Sequence, residues 1–193
     1  MTIFVYSKGI INMANPLPFE KEKLILGVLY YDEDIYNKAL SILKENFGEI
    51  DFETEEFSFS EEFSDYYDGE LGGAARRKIF SFENTVNPSR QAEIKKFTNA
   101  LEFELSGGTE RKINLDPGFM SHGRIMLATT KASGFRFPLE DGIYTELTLY
   151  YASGKWQKLP WTYRDYQSER VQSFLYKVRK KYLTQRKSEK IAE

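Results

Sequence analysis

The segment KINLDPGFMSHGRIMLATTK, residues 112–131, carries polar side chains whose types and spacing could bind a ligand. Asp116 stands directly before Pro117–Gly118, and Lys131 closes the segment. Because proline fixes φ and glycine tolerates positive φ, the pattern predicts a strand, a tight turn and a short helix over residues 123–130. Such turns often present functional side chains, so Asp116 and Lys131 are candidate ligand-binding residues. The alternative is that Asp116 braces the turn and Lys131 interacts with the helix C-terminus.

A second candidate element is the glycine-rich stretch GELGGAARRK, residues 69–78, in which Arg76 and Arg77 follow two glycines. Backbone amides freed by glycine and followed by guanidinium groups can bind phosphate or carboxylate. The two arginines are therefore predicted to join Asp116 and Lys131 around a small anionic, nucleotide-like ligand. The alternative is an exposed strand edge protected by charge, because the chain contains no GxxxxGK[ST] string.

Aromatic residues alternate with charged ones in KLPWTYRDYQS, residues 158–168. Trp161, Tyr163 and Arg164 could stack on a base or a sugar ring, and they are predicted to belong to the same binding site. The alternative is that the aromatic rings close one end of the sheet and that Arg164 pairs with Asp165.

Carboxylates are concentrated between Glu53 and Glu70, where DYYDGE offers three of them within six residues. Hard cations such as Mg²⁺ take oxygen ligands, so Asp65 and Asp68, together with Asp116, are predicted metal ligands. In a metal-dependent hydrolase one of these acids would also activate water. The spacing matches no EF-hand loop, and a solvated acidic loop explains the same residues.

Composition excludes several classes of protein. The 193 residues include 27 basic and 29 acidic side chains, a net charge of -2, so there is no strong nucleic-acid signal. The absence of cysteine excludes disulfides, thiol nucleophiles and cysteine metal sites, and it fits a reduced compartment. A single histidine, His122, excludes a two-histidine metal site. Without a targeting signal or a long apolar run, we expect a cytoplasmic protein with no membrane contact.

Apolar periodicity indicates the elements that would position these residues. The continuous run Leu24–Tyr31 predicts a strand buried on both faces. A helix follows, with Asp32 as its N-cap and Gly48 as its end, and a second helix starts after Asn87. Further strands are predicted at residues 50–60, 76–82 and 111–115, and then a hairpin that turns near residues 153–154 and leads into a terminal helix.

The order strand, helix, strand, strand, helix, strand predicts an α+β protein. We interpret it as a ferredoxin-like split βαββαβ sandwich with an added C-terminal β-hairpin and helix. A single domain is predicted over residues 21–183. Residues 1–20 are predicted to be an N-terminal arm, with Met13 as an alternative translation start. Residues 184–193 are predicted to be a charged tail into which the terminal helix frays.

Five segments, LILGVLYYDED, DYY at residues 65–67, INLDPGF, LATTK and LPWTYRDY, resemble an uncharacterised family of bacterial proteins. It is a domain-of-unknown-function family, and the resemblance runs from about Leu24 to Val178. Some members carry a GTP-binding label, whereas this chain has neither a P-loop nor an NKxD string. The family often has a histidine before the arginine that follows TTK, where this chain has Phe135 before Arg136.

These predictions lead to three candidate functions. The first is a binding protein for a small anionic ligand, with a site built from Asp116, Lys131, Arg76, Arg77 and residues 161–166. The second is a Mg²⁺-dependent phosphoryl or glycosyl-type hydrolase that uses the carboxylates. The third is a structural or interaction protein without a small-molecule site.

Overall fold

A computed structural model describes residues 16–108 and 110–192 of the chain. In that part, five helices and nine strands form an α+β arrangement, which confirms the predicted fold class at this level. In chain order they are β1 (Glu22–Tyr30), α1 (Glu33–Phe47), β2 (Ile50–Glu53), β3 (Phe57–Ser58), α2 (Phe59–Glu62), α3 (Asp68–Leu71), β4 (Arg76–Val86), α4 (Gln91–Leu105), β5 (Ile113–Met120), β6 (Arg124–Thr129), β7 (Arg136–Pro138), β8 (Tyr144–Ala152), β9 (Lys155–Lys158) and α5 (Glu169–Ala192).

The strands form one antiparallel sheet in the order β2–β4–β1–β5–β6–β8–β7, with β3 beside β4 and β9 beside β8. Every residue of β1 is buried, as the continuous apolar run predicts, but Tyr31 at the end of that run follows the strand and is 48% exposed. Leu24, Leu26 and Val28 belong to a core shared with α1 and α4, whereas Ile25 belongs to a second core shared with α5. Helices therefore cover both faces of the sheet, because successive strand residues point to opposite faces.

Local sequence signals explain where α1 begins and ends. The Asp32 side chain accepts hydrogen bonds from the backbone amides of Asp34 and Ile35, at 2.8 and 3.1 Å. Gly48 ends the helix with a φ of 92°, a conformation that side chains disfavour. Both predicted caps of this helix are confirmed. None of the helices within residues 16–108 and 110–192 combines the length and apolarity that crossing a bilayer requires.

The predicted helix over residues 123–130 is wrong, because this segment forms strand β6. Its apolar residues Ile125, Leu127 and Ala128 are all buried, and burial on both faces hides the alternation that marks a strand. The predicted turn at Pro117–Gly118 is also wrong, since β5 continues through it. A Cβ at Gly118 would lie 2.4 Å from Leu127 Cδ2, so the glycine allows close approach of β6 rather than a turn.

Strands β5 and β6 pair only between residues 118–120 and 125–127, and they part before Gly118. Where they part, the backbone of Leu115 bonds to side chains of α4 instead. Its amide donates to Glu102 Oε1 at 2.6 Å, and its carbonyl accepts from Lys95 Nζ at 2.8 Å. Pro117 lies two residues further on, and so presents its nitrogen on the same side of β5. Because proline has no N–H to offer β6, the strands separate at this point without losing a ladder bond.

The terminal helix is longer than predicted. Helix α5 continues to Ala192, so the predicted charged tail is helical as far as the structure describes it. Lys23 is fully buried and donates to Gln185 Oε1 at 3.1 Å, while Gln185 Nε2 donates to the carbonyl of Glu83 at 2.7 Å. Polar contacts with β1 and β4 therefore order the last turns of α5, whose charged composition alone predicts fraying. The predicted N-terminal arm lies outside the described residues up to residue 15.

Substituting Gln185 by alanine should lower the free energy of unfolding by about 1 kcal/mol, because the buried Lys23 ammonium loses one acceptor. Chemical denaturation measures this change. Lys187→Ala is the matched control, since Lys187 is an exposed residue on the same helix, and its effect should stay within about 0.5 kcal/mol. If Gln185→Ala were as stable as the wild type, the contact between Gln185 and Lys23 would contribute nothing to the fold.

Candidate functional site

A cavity of about 240 Å³ opens where β5 and β6 part. Five basic side chains line it: Arg77, Lys95, Arg111, Lys131 and Arg136. The lining also includes two acids, Asp116 and Asp165, and three tyrosines, Tyr67, Tyr163 and Tyr166. The split in the sheet therefore gathers ionisable groups from elements far apart in the sequence.

Arg77 reaches the cavity by crossing over β1. In the register of the three strands, Gly27 of β1 lies between Ile79 of β4 and Asp116 of β5. A Cβ at Gly27 would lie 2.6 Å from Arg77 Nη2 and 2.8 Å from Arg77 Cζ, so the glycine leaves the space that the guanidinium occupies. Arg77 Nη1 then donates to Asp116 Oδ2 at 3.2 Å.

Arg77 is paired on its other side with Asp165, with 3.2 Å between Nε and Oδ2. The two side chains are only 4% and 3% exposed. Burial alone would lower the pKa of Arg77, but the charges of Asp165 and Asp116 outweigh it and raise that pKa. Burial raises the pKa of Asp165, and the charge of Arg77 opposes that rise. The pair lies at the buried end of the cavity, and its two charges neutralise each other.

Another buried polar group is the hydroxyl of Tyr166. The residue is fully buried, and within the described ranges its hydroxyl has no hydrogen-bond partner. Burial raises the pKa of this phenol, and the neighbouring Arg77 charge only partly offsets the effect. The hydroxyl therefore remains protonated, and Tyr166 is one of the residues that line the cavity.

Two further arginines of the cavity are neutralised by carboxylates behind them. Arg111 donates from Nε and Nη2 to the two carboxylate oxygens of Glu70, at 2.7 and 2.8 Å. Arg136 Nε donates to Glu146 Oε2 at 2.7 Å, and its Nη2 donates to the Tyr163 hydroxyl at 3.2 Å. Bidentate and charge-assisted bonds of this kind fix the side chains firmly. They leave little positive charge available to a ligand at these two positions.

Lys131 differs from the three arginines of the cavity, which have carboxylate partners, and from Lys95, which is buried and donates to the carbonyl of Leu115. The Lys131 ammonium has no carboxylate partner in the part of the chain that the structure describes, and its recorded contact is with the ring of Tyr66, 5.9 Å from the centroid. The residue is exposed at the cavity mouth, just after β6. It is the cavity cation that is most available to a ligand anion.

Asp116 presents one free oxygen to the cavity. Its Oδ2 accepts from Asn114 Nδ2 at 2.7 Å and from Arg77, whereas Oδ1 has no recorded partner within the described residues. The side chain is 31% exposed, in contrast to Asp165. The two bonds to Oδ2 hold the carboxylate in place, and the other oxygen can accept hydrogen bonds.

Two tyrosine hydroxyls stand near this carboxylate. Burial is the main cause that raises the pKa of Tyr67, and the charge of Asp116 raises it further. Burial likewise raises the pKa of Tyr163, with added effects from Glu146 and Asp116. Both phenols therefore remain protonated at neutral pH and can donate hydrogen bonds.

The structure brings together four of the residues predicted to bind a ligand. The same cavity is lined by Arg77, Asp116, Lys131 and Tyr163. Their convergence does not come from the predicted turn and helix, because β5 and β6 are both strands. It comes from the strand order, which places β4, β1 and β5 side by side.

The other three predicted ligand residues do not line the cavity. Arg76 is ion-paired with Glu33 at the start of α1. Successive residues of a strand point to opposite faces, so β4 can offer only Arg77 to this site. Trp161 stacks on Phe135 with 4.7 Å between ring centroids, and Arg164 Nη1 donates to a backbone carbonyl at 3.4 Å.

The structure does not bring the three predicted metal ligands together. Asp65 is exposed, and Asp68 accepts hydrogen bonds from Ser60 Oγ and the amide of Ala75, at 2.5 and 3.0 Å. Asp116 lies instead in the cavity. Within residues 16–108 and 110–192, no group of three or more histidine, aspartate or glutamate side chains is arranged to hold a metal ion.

The sequence reasoning missed several residues of the site. Arg111 carries no local pattern that separates it from an ordinary surface residue. Tyr67 and Arg136 lie in or beside segments that carry the family resemblance, but neither is among the predicted ligand residues. Asp165 lies within the predicted segment 161–166, but its partner is Arg77 rather than Arg164. Gly27 did give a signal, because a lone glycine inside a buried apolar strand often marks a close approach by another group.

Comparison with known proteins places the chain in a family. No curated protein and no solved structure matches it significantly. Residues 20–182 match one family model, described as Domain of unknown function (DUF4416). The match covers all the strands and reaches into α5. Because the match covers most of the sequence, the protein belongs to the DUF4416 family.

Proposed function

We propose that this protein binds a small anionic ligand in the cavity between β5 and β6, and that Lys131 binds the anionic group. The observation that carries the proposal is the contrast among the cavity cations. Arg77, Arg111 and Arg136 are each paired with carboxylates, and Lys95 is buried with its ammonium bonded to the carbonyl of Leu115. Lys131 is exposed and has no carboxylate partner among the described residues. An ammonium at a cavity mouth is well suited to a charge-assisted bond with phosphate or carboxylate.

The cavity of about 240 Å³ is smaller than typical drug-sized pockets of about 300–1,000 Å³. The size therefore favours a metabolite, or one portion of a nucleotide.

We also infer that the sheet contains a ferredoxin-like unit. The strand order β2–β4–β1–β5 supports this interpretation, since it corresponds to strands 2, 3, 1 and 4 of a split βαββαβ motif. The shared core of α1 and α4 on one face supports it as well. In this view β6 to β9 and α5 extend the unit, and the ligand site lies where the extension begins.

Lys131→Ala should weaken binding of inorganic phosphate or guanosine monophosphate by about 1–3 kcal/mol, the range for a lost charge-assisted hydrogen bond. Calorimetric titration of the purified protein measures the affinities. The melting temperature should not change, because Lys131 is exposed.

Lys38→Ala is the matched control, since Lys38 is an exposed lysine of α1 and its loss changes the net charge equally. It should leave both affinities unchanged. Equal weakening by the two substitutions would indicate a general charge effect, and would contradict a site at Lys131.

A further inference from the structure

The cavity has two chemically different ends, and together they specify more than an anion. Lys131 at the mouth is a cation without a carboxylate partner in the described residues, whereas Asp116 lies further in and offers a free carboxylate oxygen. A second anionic group beside Asp116 would be repelled. The inner end therefore favours a neutral group that donates hydrogen bonds.

We propose that the ligand is a phosphorylated sugar or polyol, with its phosphate at Lys131 and its hydroxyl groups at Asp116. This inference rests on the proposed function, because it takes binding of the anionic group at Lys131 as given. A hydroxyl can donate to Asp116 Oδ1 and can also accept from the protonated phenols of Tyr67 and Tyr163.

The environment of Asp116 is consistent with a role as a fixed acceptor. Its other oxygen is held by Asn114 at 2.7 Å and by Arg77 at 3.2 Å. Arg77 is in turn held by Asp165, so it acts as a positioning residue for Asp116. A carboxylate oriented in this way loses little freedom when a hydroxyl binds, which favours selective recognition.

The cavity also offers further hydrogen-bonding partners for a ligand with several hydroxyls. Asn99 of α4 and Thr129 and Thr130 after Ala128 line the same space. A lining with many neutral polar groups and few uncommitted charges fits a polyhydroxylated ligand better than a simple inorganic anion.

The test compares glycerol 3-phosphate with propyl phosphate, which has the same number of carbon atoms and no free hydroxyl. Calorimetric titration of the full chain should show that glycerol 3-phosphate binds at least about tenfold more tightly, the effect of a hydrogen bond to a charged group. Asp116→Asn should reduce this preference to about threefold or less. Lys131→Ala should weaken both ligands by a similar factor.

The outcomes separate this inference from the function on which it rests. Equal binding of the two ligands by the wild type, with weakening by Lys131→Ala, would overturn the sugar or polyol assignment and leave the anion site standing. Failure of both ligands and of inorganic phosphate to bind would overturn both proposals. The comparison of the two ligands needs no variant, so it decides the question even if Asp116→Asn is unstable.

Discussion

Replacing Arg77 by methionine should lower the free energy of unfolding by about 3–5 kcal/mol. The substitution keeps a long side chain but leaves the buried carboxylate of Asp165 without its cation, and it removes one donor from Asp116. An unpaired charge of this kind is much more costly than a lost surface contact. Denaturant unfolding at neutral pH measures the loss.

Arg76→Met is the matched control, because it removes the same group from the neighbouring residue of the same strand. The Arg76 side chain is 28% exposed and its partner Glu33 is 53% exposed, so solvent screens the pair. We expect its loss to cost no more than about 1 kcal/mol. Similar losses from the two substitutions would contradict the assignment of Arg77 as the internal charge.

A second comparison identifies the cause of the Arg77 effect. Adding Asp165→Asn to Arg77→Met removes the unpaired charge, so the double variant should be more stable than the single one. The two substitutions should therefore be coupled by about 1–3 kcal/mol in a double-mutant cycle. Additive losses would mean that Arg77 and Asp165 stabilise the fold independently.

Gly27→Ala should lower the free energy of unfolding by about 3 kcal/mol, because the new methyl group would occupy the space of the Arg77 guanidinium. The nearest guanidinium atom would lie 2.6 Å from the added carbon. Overpacking costs up to about 3 kcal/mol, and displacement of Arg77 also weakens its bond to Asp116. Thermal and denaturant unfolding measure the change.

The control is Gly123→Ala, since a Cβ at Gly123 would meet nothing within 4 Å. It should change stability by less than about 0.5 kcal/mol. In an Arg77→Ala background there is no guanidinium to displace, so Gly27→Ala should then cost less than about 1 kcal/mol. If Gly27→Ala lowered the free energy of unfolding equally in that background, the glycine would be required by the backbone of β1 and not by the Arg77 side chain.

Most of the fold follows from local signals in the sequence. The apolar run of β1 and the caps of α1 predict these elements because their physical causes are local. The prediction failed at β6, where Met126 and Leu127 favour a helix by propensity and burial on both faces removes the strand pattern. It failed again at the end of α5, because contacts with Lys23 and Glu83 lie far away in the sequence.

The site was predictable only in part, for a related reason. Asp116 and Lys131 stand out by their neighbours in the sequence, although the turn and helix used to argue for them do not exist. The choice between Arg76 and Arg77 depends on which strand face each occupies, and a shift of one residue reverses it. The pairing of Arg77 with Asp165 joins residues from distant parts of the chain, so only the fold reveals it.

The parting of β5 from β6 has a mechanical consequence. Asp116 belongs to the part of the sheet that contains β1 and β4, whereas Lys131 follows β6 and belongs to the part that contains β8. Between these two parts the direct ladder is confined to residues 118–120 and 125–127, and α5 packs against residues of both parts. Because so short a ladder joins the two parts, the spacing of Asp116 and Lys131 also depends on the packing of α5, and substitutions on the apolar face of α5 should change the width of the cavity.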